Sequence, residues 1–341
     1  MVNLKIGMVT PYNVRCGIAT YSKDLASALA DQDVDVFIVR LSRFGVKTPE
    51  LMQDTAERVP FKNVDLVHVQ LEYGLYQGLE QVFFSHLRRG AKPIVTTMHA
   101  VGSWDIDTMI AGISAKVIVH NEFCRSRFPF ENTVVIPHGA TPMEATSREQ
   151  AKSAMGIDPR LPVVGYLGFI SNYKGLESLI QAMTKIKAGL LICGGWHIET
   201  KENEYIARLK EWADKLLPNR IKWTGFVSDE KLADAYGAMD VLVYPARFAT
   251  ESGALTHALS YGKAIIASDL PPFIEKEKEK ALWTFSTIEN LTEKIQFLLD
   301  HKPAIEELEK NARAYAQSVA WTPNIAQKHI NLYKEVLNSS T

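Results

Sequence analysis

Short apolar runs alternate with amphipathic helical stretches along almost the whole chain, and that alternation restricts it to βα units around parallel sheets covered on both faces. In the first half the expected strands are Leu4–Val9, Val34–Leu41, Leu66–Gln70, Pro93–His99, Lys116–His120 and Thr133–Pro137. In the second half they are Pro162–Gly168, Gly189–Cys193, Arg220–Gly225, Val241–Pro245 and Ala264–Ser268. Between them, Ile18, Tyr21, Leu25 and Leu29 recur at helical spacing, as do Leu176, Leu179, Ile180, Met183 and Ile186. Each set gives one apolar stripe to lie on a sheet. The strands end in Gly, Pro or His, and the carboxyl ends of parallel strands are where α/β proteins build ligand sites.

A chain of 341 residues suits two domains of ordinary size. The βα pattern restarts near residue 160, after the polar segment Met143–Arg160, where the linker is expected. The expected division is 1–150, 151–320 and a terminal helix over 321–341. That helix is part of a helical stretch, Ile305–Asn338, broken at Trp321-Thr-Pro323, and is expected to cross back onto the first domain.

Bulk properties exclude several classes. The formal net charge is −1, so no global positive field would hold nucleic acid. The three cysteines, Cys16, Cys124 and Cys193, are too few and too widely spaced for a disulfide framework or a zinc site, and fit a reducing compartment. Met1–Lys5 runs straight into a strand without a signal-peptide core, and no apolar stretch approaches the roughly 18–20 residues of a membrane helix. A soluble, cytoplasmic protein is expected.

Three windows carry chemistry. The turn from Thr10 to Tyr21 reaches a helix start at Gly17, where backbone N–H groups and the positive helix end suit an anion. It lacks the G-x-G-x-x-G pattern, so a dinucleotide fingerprint fails there, and a plain βα turn is the alternative. The second window, Gly168-Phe-Ile-Ser-Asn-Tyr-Lys174-Gly175, puts a lysine beside glycine before an amphipathic helix, a suitable anchor for a diphosphate. In the third, a buried strand feeds Pro245 and a polar loop, then Ser252-Gly253-Ala254-Leu255 at a helix start, with Glu251 and His257 close by. Glu251 reads equally as a helix N-terminal charge, and His257 as a core-facing histidine.

In this order the windows resemble the retaining GT-B glycosyltransferases, in particular the large family four (the group 1 type). The segments that carry the likeness are Lys174-Gly175, Gly194-Gly195, Thr224-Gly225-Phe226-Val227 and Pro245–Asp269. In the first half, Arg15–Thr20, Val69–Gly74, Thr97–His99 and Val135–Gly139 look like a subgroup of the same family. The resemblance implies an α/β fold of GT-B architecture: two Rossmann-like domains whose parallel sheets face a central cleft. It also implies transfer of a hexosyl-type sugar from a nucleoside diphosphate to an acceptor hydroxyl with retention of configuration. Two departures stand out. Phe169 occupies the place of the arginine before the lysine, and one ungapped register puts Ala249 and His257 at the two family glutamates. Glu251 lies two residues beyond the first of them, so either it takes over that role or the sugar and ribose are held differently.

The resemblance assigns roles. His99 and Glu251 contact the transferred sugar, and Lys174 offsets charge on the leaving diphosphate. Gly17, Gly168, Gly194, Phe226, the Ser252–Leu255 backbone and His257 line the donor. Gln70 and Glu72 are candidates to read the acceptor. His138 is expected to shape the turn at Gly139. No Asp-x-Asp segment suited to a divalent metal appears, and no tightly bound cofactor is expected; a UDP- or GDP-sugar is the substrate. The acceptor is a glycan, a lipid-linked sugar or a small molecule. The stretch Leu79–Arg89 offers either weak peripheral membrane contact or a core-packed helix with a basic end, the second being the plainer reading. Among related folds, a nicotinamide dehydrogenase lacks its glycine pattern here, a pyridoxal phosphorylase its lysine site, and a 2-epimerase fits the loops less well. A non-catalytic homologue that binds a sugar nucleotide or a partner enzyme is the alternative from a different class.

Overall fold

A computed structural model of the chain describes residues 4–42, 45–195 and 203–339. Met1–Asn3, which the sequence reading runs into the first strand, lie outside the described residues. By internal contacts the chain forms two units, one of Met1–Gly139 with Val319–Thr341, the other of Ala140–Ser318.

Unit 1 is built on a six-stranded sheet of order β2-β1-β3-β4-β5-β6, every pair parallel. Its strands are β1 Lys5–Thr10, β2 Asp35–Arg40, β3 Leu66–Leu71, β4 Ile94–Met98, β5 Lys116–Val119 and β6 Thr133–Val135. The β3 and β4 strands are buried at every residue, which is why they read as continuous apolar runs rather than alternating ones. The helix Gly17–Ala30 buries Tyr21, Leu25 and Leu29, the expected stripe. Phe83, Phe84 and Leu87 of helix Glu80–Leu87 are fully buried and pack with Tyr76. The membrane contact considered for Leu79–Arg89 is thereby corrected, because the apolar face belongs to the core. No described helix is long and apolar enough to cross a membrane.

Unit 2 carries a second six-stranded parallel sheet, of order β12-β11-β10-β7-β8-β9. Its strands are β7 Val163–Leu167, β8 Gly189–Cys193, β9 Ile221–Gly225, β10 Val241–Tyr244, β11 Ile265–Ser268 and β12 Trp283–Phe285. The sequence reading missed β12, a three-residue edge strand too short to show a pattern. The segment expected as a linker instead holds a helix, Arg148–Ala154, in unit 2. Its buried face is Ala151 and Lys152, and the lysine is neutralised by Asp240 at 2.8 Å and donates to the Leu161 carbonyl. A buried charge with a partner 88 residues away gives no apolar signal in a sequence.

Near the end of the chain, Thr322 takes an extended conformation (φ −116°, ψ 128°) between helices Lys302–Ser318 and Ala326–Ser339. The last helix packs within unit 1, where Tyr333 is fully buried. Trp321 covers Gly139 so closely that a Cβ there would lie 2.3 Å from the indole.

Each strand order has one point where successive connections leave in opposite directions, between β1 and β3 in unit 1 and between β7 and β10 in unit 2. Open α/β sheets bind ligands beyond the carboxyl ends of strands at such a point.

Candidate functional site

In unit 2 the loops after β7, β8 and β10 meet at that point through glycines. Gly168 and Gly194 both have positive φ (156° and 149°), and a Cβ at Gly194 would stand 1.8 Å from the Gly168 carbonyl oxygen. Gly175 (φ 65°) crosses the Pro245 carbonyl, which a Cβ would meet at 2.1 Å. Only glycine allows these crossings. Backbone bonds lock them: Gly168 N–H donates to Cys193, Gly194 N–H to Gly225, and Arg247 N–H to the Tyr173 carbonyl at 2.8 Å. Tyr166 Oη donates to the Phe169 carbonyl at 2.7 Å, and Tyr244 Oη lies 3.0 Å from the Ala254 carbonyl, tying the β7 and β10 loops down.

Lys174 stands in the short turn Asn172–Lys174 that opens the helix Leu176–Met183, half-buried, its ammonium 4.6 Å from the centre of the Tyr173 ring. It has no anionic partner among the described residues. With Tyr166, Tyr244, Ala249, Ser252 and Phe273 it lines a cavity. Ser252, which lines the cavity, precedes the helix Gly253–Ser260. Ser252 caps it by accepting from Leu255 N–H, and the N–H groups of Gly253 and Ala254 in the first turn have no acceptor among the described residues. Lys174 and the capping Ser252 line the same cavity, and a cation beside a helix start makes a place for an anion.

Glu251 is placed differently from the expectation. Its carboxylate holds Lys276 at 2.8 Å and accepts from Ser252 N–H at 2.8 Å, with the two side chains 7% and 6% exposed. Burial opposes the Lys276 charge, but the Glu251 carboxylate holds its pKa above the ordinary lysine value. Glu251 thus takes part in an internal ion pair that its expected role did not include. The sequence could have shown this only by pairing Glu251 with a lysine 25 residues away.

In unit 1, His99 follows β4 and is hydrogen-bonded through Nε2 to Gln70 Oε1 at 2.9 Å. Gln70 is fully buried, so it reaches a ligand only through His99. Glu72 caps the turn Tyr73–Tyr76 by accepting from Gly74 N–H. Gly17 begins its helix, exposed and open on its Cα side. The Tyr21 ring sits amid His99, His120, His138 and Trp321, with ring centres 4.8–5.2 Å away. Burial, with the added fields of His120, His138 and His68, holds the His99 pKa well below the usual histidine value, so it is neutral at pH 7. Sequence reasoning missed His68, Tyr21 and Tyr333; the alternation His68-x-Gln70 beside Thr97-x-His99 was the available signal.

Residues 147–316 match the family model for glycosyl transferases group 1. A curated relative, mannosylfructose-phosphate synthase of Agrobacterium fabrum, is 27% identical over 161 residues, 40% of this chain and 35% of that protein. The chain thus spans about a third of that relative's length. Among solved structures, Anabaena HepE in complex with UDP and glucose superposes with a TM-score of 0.79 at 17% identity, covering 97% of this chain and all of HepE. Sucrose-phosphate synthase of Thermosynechococcus elongatus gives 0.79 at 19%, covering 98% and 100%. The fold is GT-B. The chain belongs to the group 1 glycosyltransferases.

The residues read from the sequence as the family's motif lie as follows in this group 1 glycosyltransferase, with Lys174-Gly175 at the start of the helix Leu176–Met183. Phe169, where an arginine would stand, carries no charge, and the nearby Arg247 pairs with Glu177 at 3.1 Å and Asn172 at 2.7 Å. Ala249 lines the cavity at the first glutamate position. His257, at the second, meets Tyr236 Oη through Nδ1 at 3.2 Å, its ring edge-on to Tyr236 and Tyr261. Phe226, beyond β9, is 52% exposed. Among the described residues of this glycosyltransferase, no group of three or more His, Cys, Asp or Glu side chains is arranged to hold a metal ion.

Proposed function

We propose that this protein transfers a hexosyl-type sugar from a UDP- or GDP-sugar to an acceptor hydroxyl, with retention of configuration and without a bound metal. The observation that carries the reading is the anion cradle of unit 2, in which Lys174 and Ser252, the cap of the helix Gly253–Ser260, line one cavity. The donor diphosphate lies there, against Lys174 and the amides of Gly253 and Ala254. The backbone at Gly168 and Gly194 approaches it, and Phe226 offers a ring face to the base. Lys174 offsets the charge that grows on the leaving nucleoside diphosphate. Binding of UDP and glucose by HepE, which shares the fold, favours this class of donor. His99 of unit 1 is the proposed contact to the transferred sugar, and Glu72, half-buried on the loop after β3, the group that meets the acceptor.

The test is a thermal-shift panel of UDP, GDP, ADP, CDP and dTDP on wild type and Lys174→Ala. A ligand bound only by the folded state raises the midpoint when well above its Kd. One base that stabilises wild type and not the variant identifies the donor family to assay for turnover. No shift with any of them, on folded protein, overturns the reading. Ala249 and His257 at the two glutamate positions favour a second reading, a non-catalytic homologue that binds a sugar nucleotide or a partner enzyme. Binding without turnover of the sugar form of that nucleotide would decide for it.

A further inference from the structure

The polar chain that leads to His99 begins on the last helix. Side chains alternate across a strand, so His68 and Gln70 of β3 share one face of the sheet; Thr97 of β4 pairs in register with Gln70 and shares that face. His99 extends the same alternation, its N–H donating to the Leu71 carbonyl at 2.8 Å. Along this face Tyr333 Oη lies 2.7 Å from His68 Nδ1. His68 Nε2 lies 2.7 Å from Thr97 Oγ1 and 3.2 Å from the Gln70 amide nitrogen. The Gln70 amide oxygen completes the chain at His99 Nε2.

An amide nitrogen only donates and an amide oxygen only accepts. The Gln70 nitrogen therefore finds a lone pair on His68 Nε2, which puts the His68 proton on Nδ1, donated to Tyr333. The Gln70 oxygen in turn requires a proton on His99 Nε2. Turning the amide over would reverse every bond and move the His99 proton to Nδ1. We infer that Gln70 is a positioning residue that fixes His99 as its Nε2–H tautomer, with Nδ1 unprotonated. The placing of His99 beside the transferred sugar rests on the transfer reading; the tautomer does not. Which imidazole nitrogen carries the proton is set by the partner of the other, and here that partner is buried and held in place from behind.

The experiment is a long-range 1H–15N correlation spectrum of the full chain labelled with 15N-histidine, with the His99 signals identified by their loss in His99→Asn. The expected result is a pyrrole-type Nε2 and a pyridine-type Nδ1 for His99 in wild type. In Gln70→Leu the two nitrogens should move toward averaged shifts as both tautomers become populated. In Gln70→Glu, which keeps the size of the side chain, a carboxylate facing Nε2 should yield the imidazolium, with both nitrogens protonated near neutral pH. A wild-type proton on Nδ1, or unchanged His99 signals in both variants, overturns the inference. Binding of UDP and GDP is measured in parallel and is expected to match wild type in both variants, since the cradle lies in unit 2. Failure of both nucleotides to bind even wild type would remove the transfer reading while leaving the tautomer result intact.

Discussion

The two units carry sheets of the same size and hydrogen-bonding sense, yet they accommodate their buried polar groups by opposite means. Unit 1 uses neutral rings: His68 and His329 are buried and His99 is half-buried, all three uncharged among tyrosines. Unit 2 uses compensated charge: Glu251 with Lys276 after β10 and, at the opposite, amino ends of β7, β10 and β11, a cluster in which Arg148, Lys152 and Lys263 share Asp240 and Glu309. Its cradle keeps one cation, Lys174, outside those pairs. The contrast teaches that a buried polar end can be held without net charge in either way, but the two ways fail at different pH.

The largest expected effect is on acidification. Burial lowers the pKa of His329 from 6.5 to about 4, and those of His68 and His99 also lie well below 6.5. The unfolded chain therefore binds more protons than the folded one between those values, so stability is full above pH 6.5 and falls as pH drops toward 4. The His329 imidazole contributes up to about 3 kcal/mol, and His68 and His99 act in the same direction. Hydrogen exchange resolved by peptide at pH 7 and pH 5 should show unit 1 losing protection before unit 2; equal loss in both would break the comparison.

Next in size is Glu251→Leu, which leaves Lys276 buried without its anion. Chemical denaturation should show a loss of about 3–5 kcal/mol, and the double variant with Lys276→Met should recover most of it. A single variant as stable as wild type would mean that the pair contributes nothing to unit 2. Lys174→Ala should do the reverse: stability unchanged, and turnover about 100-fold lower, roughly 3 kcal/mol at the transition state. A variant that keeps half its activity would remove Lys174 from the proposed chemistry. The last effect is alkaline. Burial depresses Lys263 from 10.5 to about 8, against the attraction of Glu309. The folded state then gives up this proton earlier than the unfolded chain, so stability should rise from pH 8 toward pH 10.5, and Lys263→Met should flatten that rise.

How much of this could be read from the sequence depends on the range of the interaction. Strands buried on both faces announce themselves as apolar runs, and the glycines at 168, 175 and 194 mark turns whose crossings the structure then explains. Lys174 and Ser252 were visible for the same reason, since a helix start has a local pattern. What the sequence hid was polar and distant. The helix Arg148–Ala154 turns a lysine inward and so looked like a linker. Tyr333 meets His68 across 265 residues, and no spacing rule connects them. Gln70 was visible as a polar residue at a strand end, but its full burial was not, because the elements that cover it come from other parts of the chain.

The return of Val319–Thr341 to unit 1 has a consequence for synthesis. By connectivity unit 2 is an insertion within unit 1, and all of its residues precede the segment that completes the first sheet's cover. A ribosome therefore delivers every residue of unit 2 while His68 still lacks Tyr333 and Gly139 still lacks the indole of Trp321. Of the two units the first to begin is the last to finish, and its polar face must wait, uncovered, until unit 2 has been made.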